Sequence, residues 1–254
     1  MGWAAQKVHE FEVSAAATIK SKLTGEHALV KVEAQPNMAW GSVAKATIKA
    51  ENFSLDALPL YTEPKRAKSG QLDHLILDLT NFRLRGLRIA QLKADIPNSK
   101  FDLGLALGKK ELRLSRSGVG IGSVKVEEKD LADFIVRKFG EIKRCTVRVY
   151  NDIVWVDGYG EFLIVKSNFT VIAHLTPVDG TKLVLTDAKI YFDWVRADEF
   201  AAKTLLKTLN PVVDLKKDLG LLDAVEVETV TCRNGAVIAS GKTKIPELPA
   251  ENTR

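Results

Sequence analysis

The residues with the widest chemical range are four histidines, two cysteines and two glycine-bearing segments. His9, His27, His74 and His174 are scattered, and none stands three or four residues from another. No single helix turn could therefore present two of them to a metal, and no local spacing pairs a base with a second histidine. His74 follows Asp73 and His174 sits in a long strand-like run, so a triad built on either would have to be assembled in space. The commoner role for such a histidine is a surface or hydrogen-bonded strand position. No Gly-x-Ser-x-Gly elbow occurs. Cys145 and Cys232 lack Cys-x-x-Cys spacing and a histidine at ligand spacing, which argues against zinc. They read as two buried free thiols, with pairing between neighbouring strands left open. Gly118-Val119-Gly120-Ile121-Gly122-Ser123 has serine where a dinucleotide fingerprint needs its third glycine. Gly241-Lys242-Thr243 ends like a P-loop, but Ala236 stands where the earlier glycine belongs. The expectation is a chain with no catalytic residues, no metal and no cofactor.

Charge offers more. The chain of 254 residues carries 37 Lys and Arg against 32 Asp and Glu, a net charge of +5. Basic clusters recur at Lys65, Arg66 and Lys68, at Arg83, Arg85 and Arg88, at Lys109, Lys110, Arg113 and Arg116, and at Lys143, Arg144 and Arg148. They suit an ordinary solvated face or an anionic membrane surface, where each cation adds about 1 kcal/mol. Few aromatics interleave with them, so a nucleic-acid platform is not expected. Charges of both signs are mixed along a chain that is 46% hydrophobic, which excludes a disordered chain. No run of apolar residues reaches the eighteen or so a spanning helix needs. Met1 to Glu10 has no apolar secretory core. The chain is therefore expected inside the cell and peripheral to a membrane, or in the cell envelope if a leader has been lost.

The elements that would position these residues are mostly strands. Val8, Phe11, Ala15, Ile19 and Leu23 recur at helical steps and Gly25 follows as a stop, giving a first helix. Period-two alternation then takes over in 28–34 and 44–50, and Tyr61 to Gly70 reads as an exposed loop. Leu75, Leu77 and Leu79 alternate before the phase slips to Phe82 and Leu84, which predicts a bulge. Ala90, Leu92, Ala94 and Ile96 continue the pattern. A second helix is expected at about Glu127 to Phe139, its acidic start matching the helix dipole and Leu131, Phe134 and Ile135 forming its stripe. Turns are read at Asn151-Asp152, Asp157-Gly158, Pro177–Gly180 and Asn234-Gly235. Two long strands, roughly Glu161 to Thr176 and Lys182 to Trp194, must coil. A third helix near Asp198 to Leu209 carries Leu205 and Leu209. The whole reads as one domain over 1–254, with its core at about 8–245 and a frayed tail over 246–254.

The order of the pieces resembles a known family. A short helix precedes ALVKVEAQPNMAWGSVAKATIKAENFSL and LDHLILDLTNFRLRG; SVKVEEKDLADFI, LNPVVDL and VEVETVTCRNGAVIASGK follow. Together these resemble the LmeA-like phospholipid-binding family, related to the tubular lipid-binding (TULIP) superfamily, over roughly Val13 to Lys244. The resemblance implies an α+β, mostly β fold, a long curved antiparallel sheet wrapped around one or more amphipathic helices. It further implies an apolar groove for the acyl chains of a phospholipid, held for transfer or presentation at a membrane. Within the sequence, Leu131, Phe134, Ile135, Leu205 and Leu209 are the candidate groove residues, and Trp40 and Phe53 the candidates for its mouth. Two rival expectations stay open: an envelope scaffold using the sheet as a protein-interaction surface, and a lipid or glycan hydrolase. No protein partner is specified by any motif.

Overall fold

The computed structural model describes residues 2–25, 28–36, 42–109, 111–162 and 166–249. Four helices lie among them, α1 Gly2–Lys20, α2 Leu103–Gly108, α3 Glu128–Lys138 and α4 Glu199–Leu209. The strands up to α3 are β1 Leu29–Pro36, β2 Ser42–Glu51, β3 Ser54–Leu55, β4 Gly70–Leu84, β5 Leu87–Phe101, β6 Leu114–Arg116 and β7 Gly120–Glu127. Those beyond it are β8 Ile142–Tyr150, β9 Ile153–Glu161, β10 Lys166–Val178, β11 Lys182–Phe192, β12 Val195–Arg196, β13 Val213–Asp214, β14 Val225–Arg233 and β15 Ala236–Thr243.

Among the described residues these strands form two sheets. The larger runs β1-β2-β4-β5-β7-β15-β14, antiparallel throughout except where β2 and β3 lie parallel to β4. The smaller, β12-β11-β10-β9-β8, is a curled antiparallel half-barrel. The fold is α+β and mostly β, as the alternation requires.

Helix α3 is placed between the sheets by its own pattern. Leu131, Ala132, Phe134 and Ile135 are buried on one stripe, packed against β8 on one side and β5 and β7 on the other. Its acidic first turn is used twice: Glu128 accepts a bond from the Val149 amide at 2.6 Å, and Asp130 receives the Arg88 guanidinium at 3.3 Å. At its other end the Lys138 ammonium donates to the carbonyls of Pro211 and Val212 and to Asp218, tying down the chain after α4. Helix α1 covers the larger sheet with Phe11, Ala15 and Ile19, and Phe11 meets the Phe101 ring at 5.2 Å between centroids.

Four local readings change. The phase slip in β4 is no bulge: the β4–β5 register is unbroken, and Asn81, at φ 50°, turns the strand over in place. Asp157-Gly158 is no turn but lies inside β9, where Gly158 faces Phe169 across the ladder and a Cβ would sit 2.6 Å from that ring. The segment Tyr61 to Gly70 is not exposed throughout, because Thr62 is buried and bridges Leu114 and Glu247. The tail is not frayed over 246–249: Pro246 is fully buried, its carbonyl accepts the Thr62 amide at 2.8 Å, and the Leu248 amide returns to Thr62. Both of these last changes have one cause, since a buried backbone group must find a partner and these two segments supply each other's. Residues 250–254 lie outside the described residues.

Candidate functional site

The buried side chains fall into two clusters, one around α3 and both sheets, the other between α1 and the larger sheet. Between them is a cavity with about 110 Å³ of open space. Its floor is the inner face of the larger sheet: Ile48 and Ala50 of β2, Leu77, Leu79, Phe82 and Leu84 of β4, and Leu92 and Ile96 of β5. Its rims are Ile19 and Leu23 at the end of α1, the segment Leu58 to Leu60, and Leu221, Ala224 and Val225. The alternation of β4 and β5 supplies the floor, while Leu23, Leu58, Pro59 and Leu221 are only half-buried and mark the mouth.

Two of the lining residues carry polar side-chain groups, and neither group is free. Thr243 donates to the Ala224 carbonyl at 3.1 Å, and Lys244 pairs with Asp223 at 2.6 Å. A cavity without available side-chain hydrogen-bonding groups is a poor site for ordered water and a suitable one for apolar groups. Cations stand beside it. Arg85 donates to the Asp56 carbonyl at 2.8 Å and lies against Gly220, beside the two segments that form the rims. Lys22, next to Leu23, is pushed below the ordinary lysine value by burial and by the charge of Arg113, with Glu63 opposing.

The structure divides the candidate residues. Phe53 is on the cavity wall, stacked on Phe82 at 4.8 Å and 8°. Leu131, Ile135 and Leu209 surround a separate void of about 10 Å³ with Phe139, Ile142 and Val154, which is closed packing. Phe134 and Leu205 are buried in that same cluster. None of these five lines the larger cavity, because the apolar stripe of α3 is spent between the two sheets and that of α4 on the core of the smaller one. Trp40 lies outside the described residues. Sequence reasoning passed over Leu77, Leu79, Leu92 and Leu221; the alternation of the first two was visible, but nothing in it separates a cavity wall from a filled core.

The groups able to do covalent chemistry are placed elsewhere. A polar depression on the smaller sheet is lined by Arg144, Cys145, Asp157, Asn168, Thr170 and Asp193, among others. Burial there pushes the Cys145 thiol up to about 12, with Asp157 and Asp133 adding to it, so the nucleophilic thiolate is suppressed. Burial also raises Asp157, but bonds from Thr170, Trp155 and Arg148 outweigh it and hold the carboxyl below its usual range. His74 bonds Asp95 at 2.9 Å and His174 meets the Asp152 carbonyl at 3.1 Å. Among the described residues no hydroxyl or thiol is hydrogen-bonded to either ring, and no three His, Cys, Asp or Glu side chains gather as a metal site. Cys145 and Cys232 are free, the first half-buried and the second buried. Among the described residues no helix is long and apolar enough to cross a membrane.

Comparison with protein-family models, with curated proteins and with solved structures finds no match to this chain.

Proposed function

We propose that this protein is a non-catalytic phospholipid binder that holds acyl chain in the cavity between α1 and the larger sheet. The observation that carries the reading is a wall of leucine, isoleucine and phenylalanine with its two polar side-chain groups already satisfied, flanked by Arg85 and Lys244. Each methylene moved from water into such a wall gains about 0.8 kcal/mol, so a long chain gains roughly 10 kcal/mol gross. Most of that gain cancels when the chain comes from a bilayer. Selectivity then falls to the head group, whose phosphate suits the guanidinium of Arg85. The open space of about 110 Å³ is below the ~300 Å³ of a usual small-molecule pocket, so a whole chain enters only as the half-buried rims yield. The resemblance to the LmeA-like and TULIP proteins supports the same function.

The second reading, an envelope scaffold, draws on the closed packing around α3. Native mass spectrometry of the purified chain followed by organic extraction separates the two. Near-stoichiometric phospholipid supports the binder. A clean apo mass, unchanged after mixing with anionic and zwitterionic vesicles, favours the scaffold.

A further inference from the structure

The smaller sheet has a free end. Its other end is bonded to the larger sheet: the Asp152 amide, in the β8–β9 turn, donates to the Cys232 carbonyl, the Asp152 carboxylate accepts the Cys232 amide, and the Gly180 carbonyl accepts the Val227 amide. At the free end, within seven residues of chain, Trp194, Val195 and Phe200 are 82%, 71% and 72% exposed. Exposed single apolar residues need no account, but three large ones together do.

The backbone makes the case sharper. Phe192 pairs with Val195, so Asp193 and Trp194 form a two-residue turn with φ of 44° and 69°. Such turns favour Asn-Gly or Asp-Gly, and a bulky residue at positive φ is strained. Trp194 bears that strain while gaining almost no burial, so folding does not explain the indole. The carboxylates of this tip are exposed but already engaged: Asp193 accepts from Ser167 and Asn168, and Asp198 caps α4 through the Ala201 amide. Glu199 sits in the first turn of α4, where the helix dipole favours it. Arg196 and Lys203 have no ion-pair partner among the described residues. The tip thus offers an indole, two further apolar side chains and two unpaired cations. Tryptophan is the residue most at home between head groups and hydrocarbon, and cations complement an anionic surface.

The geometry points to this tip as a membrane-docking surface: Trp194, Val195 and Phe200 enter the interfacial layer of an anionic bilayer, with Arg196 and Lys203 at the phosphates. The surface is at the free end of the smaller sheet, away from the acyl cavity, and goes beyond the cavity reading. If purified protein docks but yields no lipid on extraction, the cavity reading alone falls.

The test is co-sedimentation of the full chain with vesicles of phosphatidylcholine and phosphatidylglycerol. The triple variant Trp194→Ser, Val195→Ser, Phe200→Ser is expected to lose partitioning by about tenfold or more. The control pair Ile121→Ser and Tyr150→Ser, equally exposed but away from the tip, is expected to pellet as the parent does. Trp194→Gly alone should weaken docking while melting no lower than the parent, because glycine relieves the turn. The proposal is overturned if the parent fails to pellet, if the tip variants pellet like the parent, or if the control pair loses as much. It is equally overturned if the tip variants convert a dimer to a monomer without vesicles, since the patch would then be a contact between copies.

Discussion

Ala50 is the small residue on the cavity floor, buried in β2 between Val30 and Leu79. Ala50→Leu sends three more carbons into the void. Buried hydrocarbon at about 0.8 kcal/mol per carbon gives about 2.4 kcal/mol of added stability. Void filling sets an upper limit: the whole 110 Å³ at about 24 cal/mol per Å³ would be about 2.6 kcal/mol. In a chain of this length that is roughly 5–10 °C in melting temperature, read on lipid-free protein. The same substitution should reduce lipid recovered by extraction, because the occupied volume is no longer open to acyl chain. Stability and cargo therefore move in opposite directions. A variant destabilised by more than about 1 kcal/mol would show that the void does not admit the side chain without strain. A stabilised variant with its full lipid load would refute the cavity as the acyl site.

Other outcomes follow from single contacts. Lys138→Met strands two carbonyls and Asp218, and should lower stability by about 2–3 kcal/mol in urea titration, with no rescue by arginine. Gly158→Ala places a Cβ 2.6 Å from both the Phe169 ring and the Arg144 carbonyl, and should cost about 1–3 kcal/mol, partly recovered by adding Phe169→Leu. Burial, with nearby carboxylates, raises Cys145 to about 12 and Cys232 to about 11, so the folded state holds these protons more tightly than the unfolded one. Stability is then fully present below about pH 8.5 and falls as pH climbs toward those values. Cys145→Ser with Cys232→Ala should flatten that alkaline slope, and identical slopes would refute the assignment.

The sequence announced its elements where two signals agreed. Helix α3 has both a charge gradient and a stripe, and Asn234-Gly235 has both positive φ values and flanking alternation, so each stands where expected. Where one signal had two causes, the reading failed. Asp157-Gly158 has turn composition, but its glycine makes room for an aromatic ring. Asn81 reverses the exposed face of β4 without shifting its partner, which alternation alone cannot tell from an inserted residue. Pro246 looks like the start of a tail until Thr62, far away in the chain, is seen bonded to it. The cavity was hidden for a related reason. Leu75 and Leu79 are identical in type and phase, and only the apposition of 58–60 and 221–225 decides which meets open space.

The smaller sheet is a continuous stretch, 142–214, nested inside the larger one. Its ladders β8-β9-β10-β11 join neighbours in sequence, so they can form as they are made, before β14 and β15 exist. The larger sheet cannot be finished then, because β7 waits for β15, roughly a hundred residues later. Until the last hairpin leaves the ribosome, the edge of β7 and part of the cavity floor stand open to solvent. That interval, rather than the finished molecule, is when the chain most needs a chaperone.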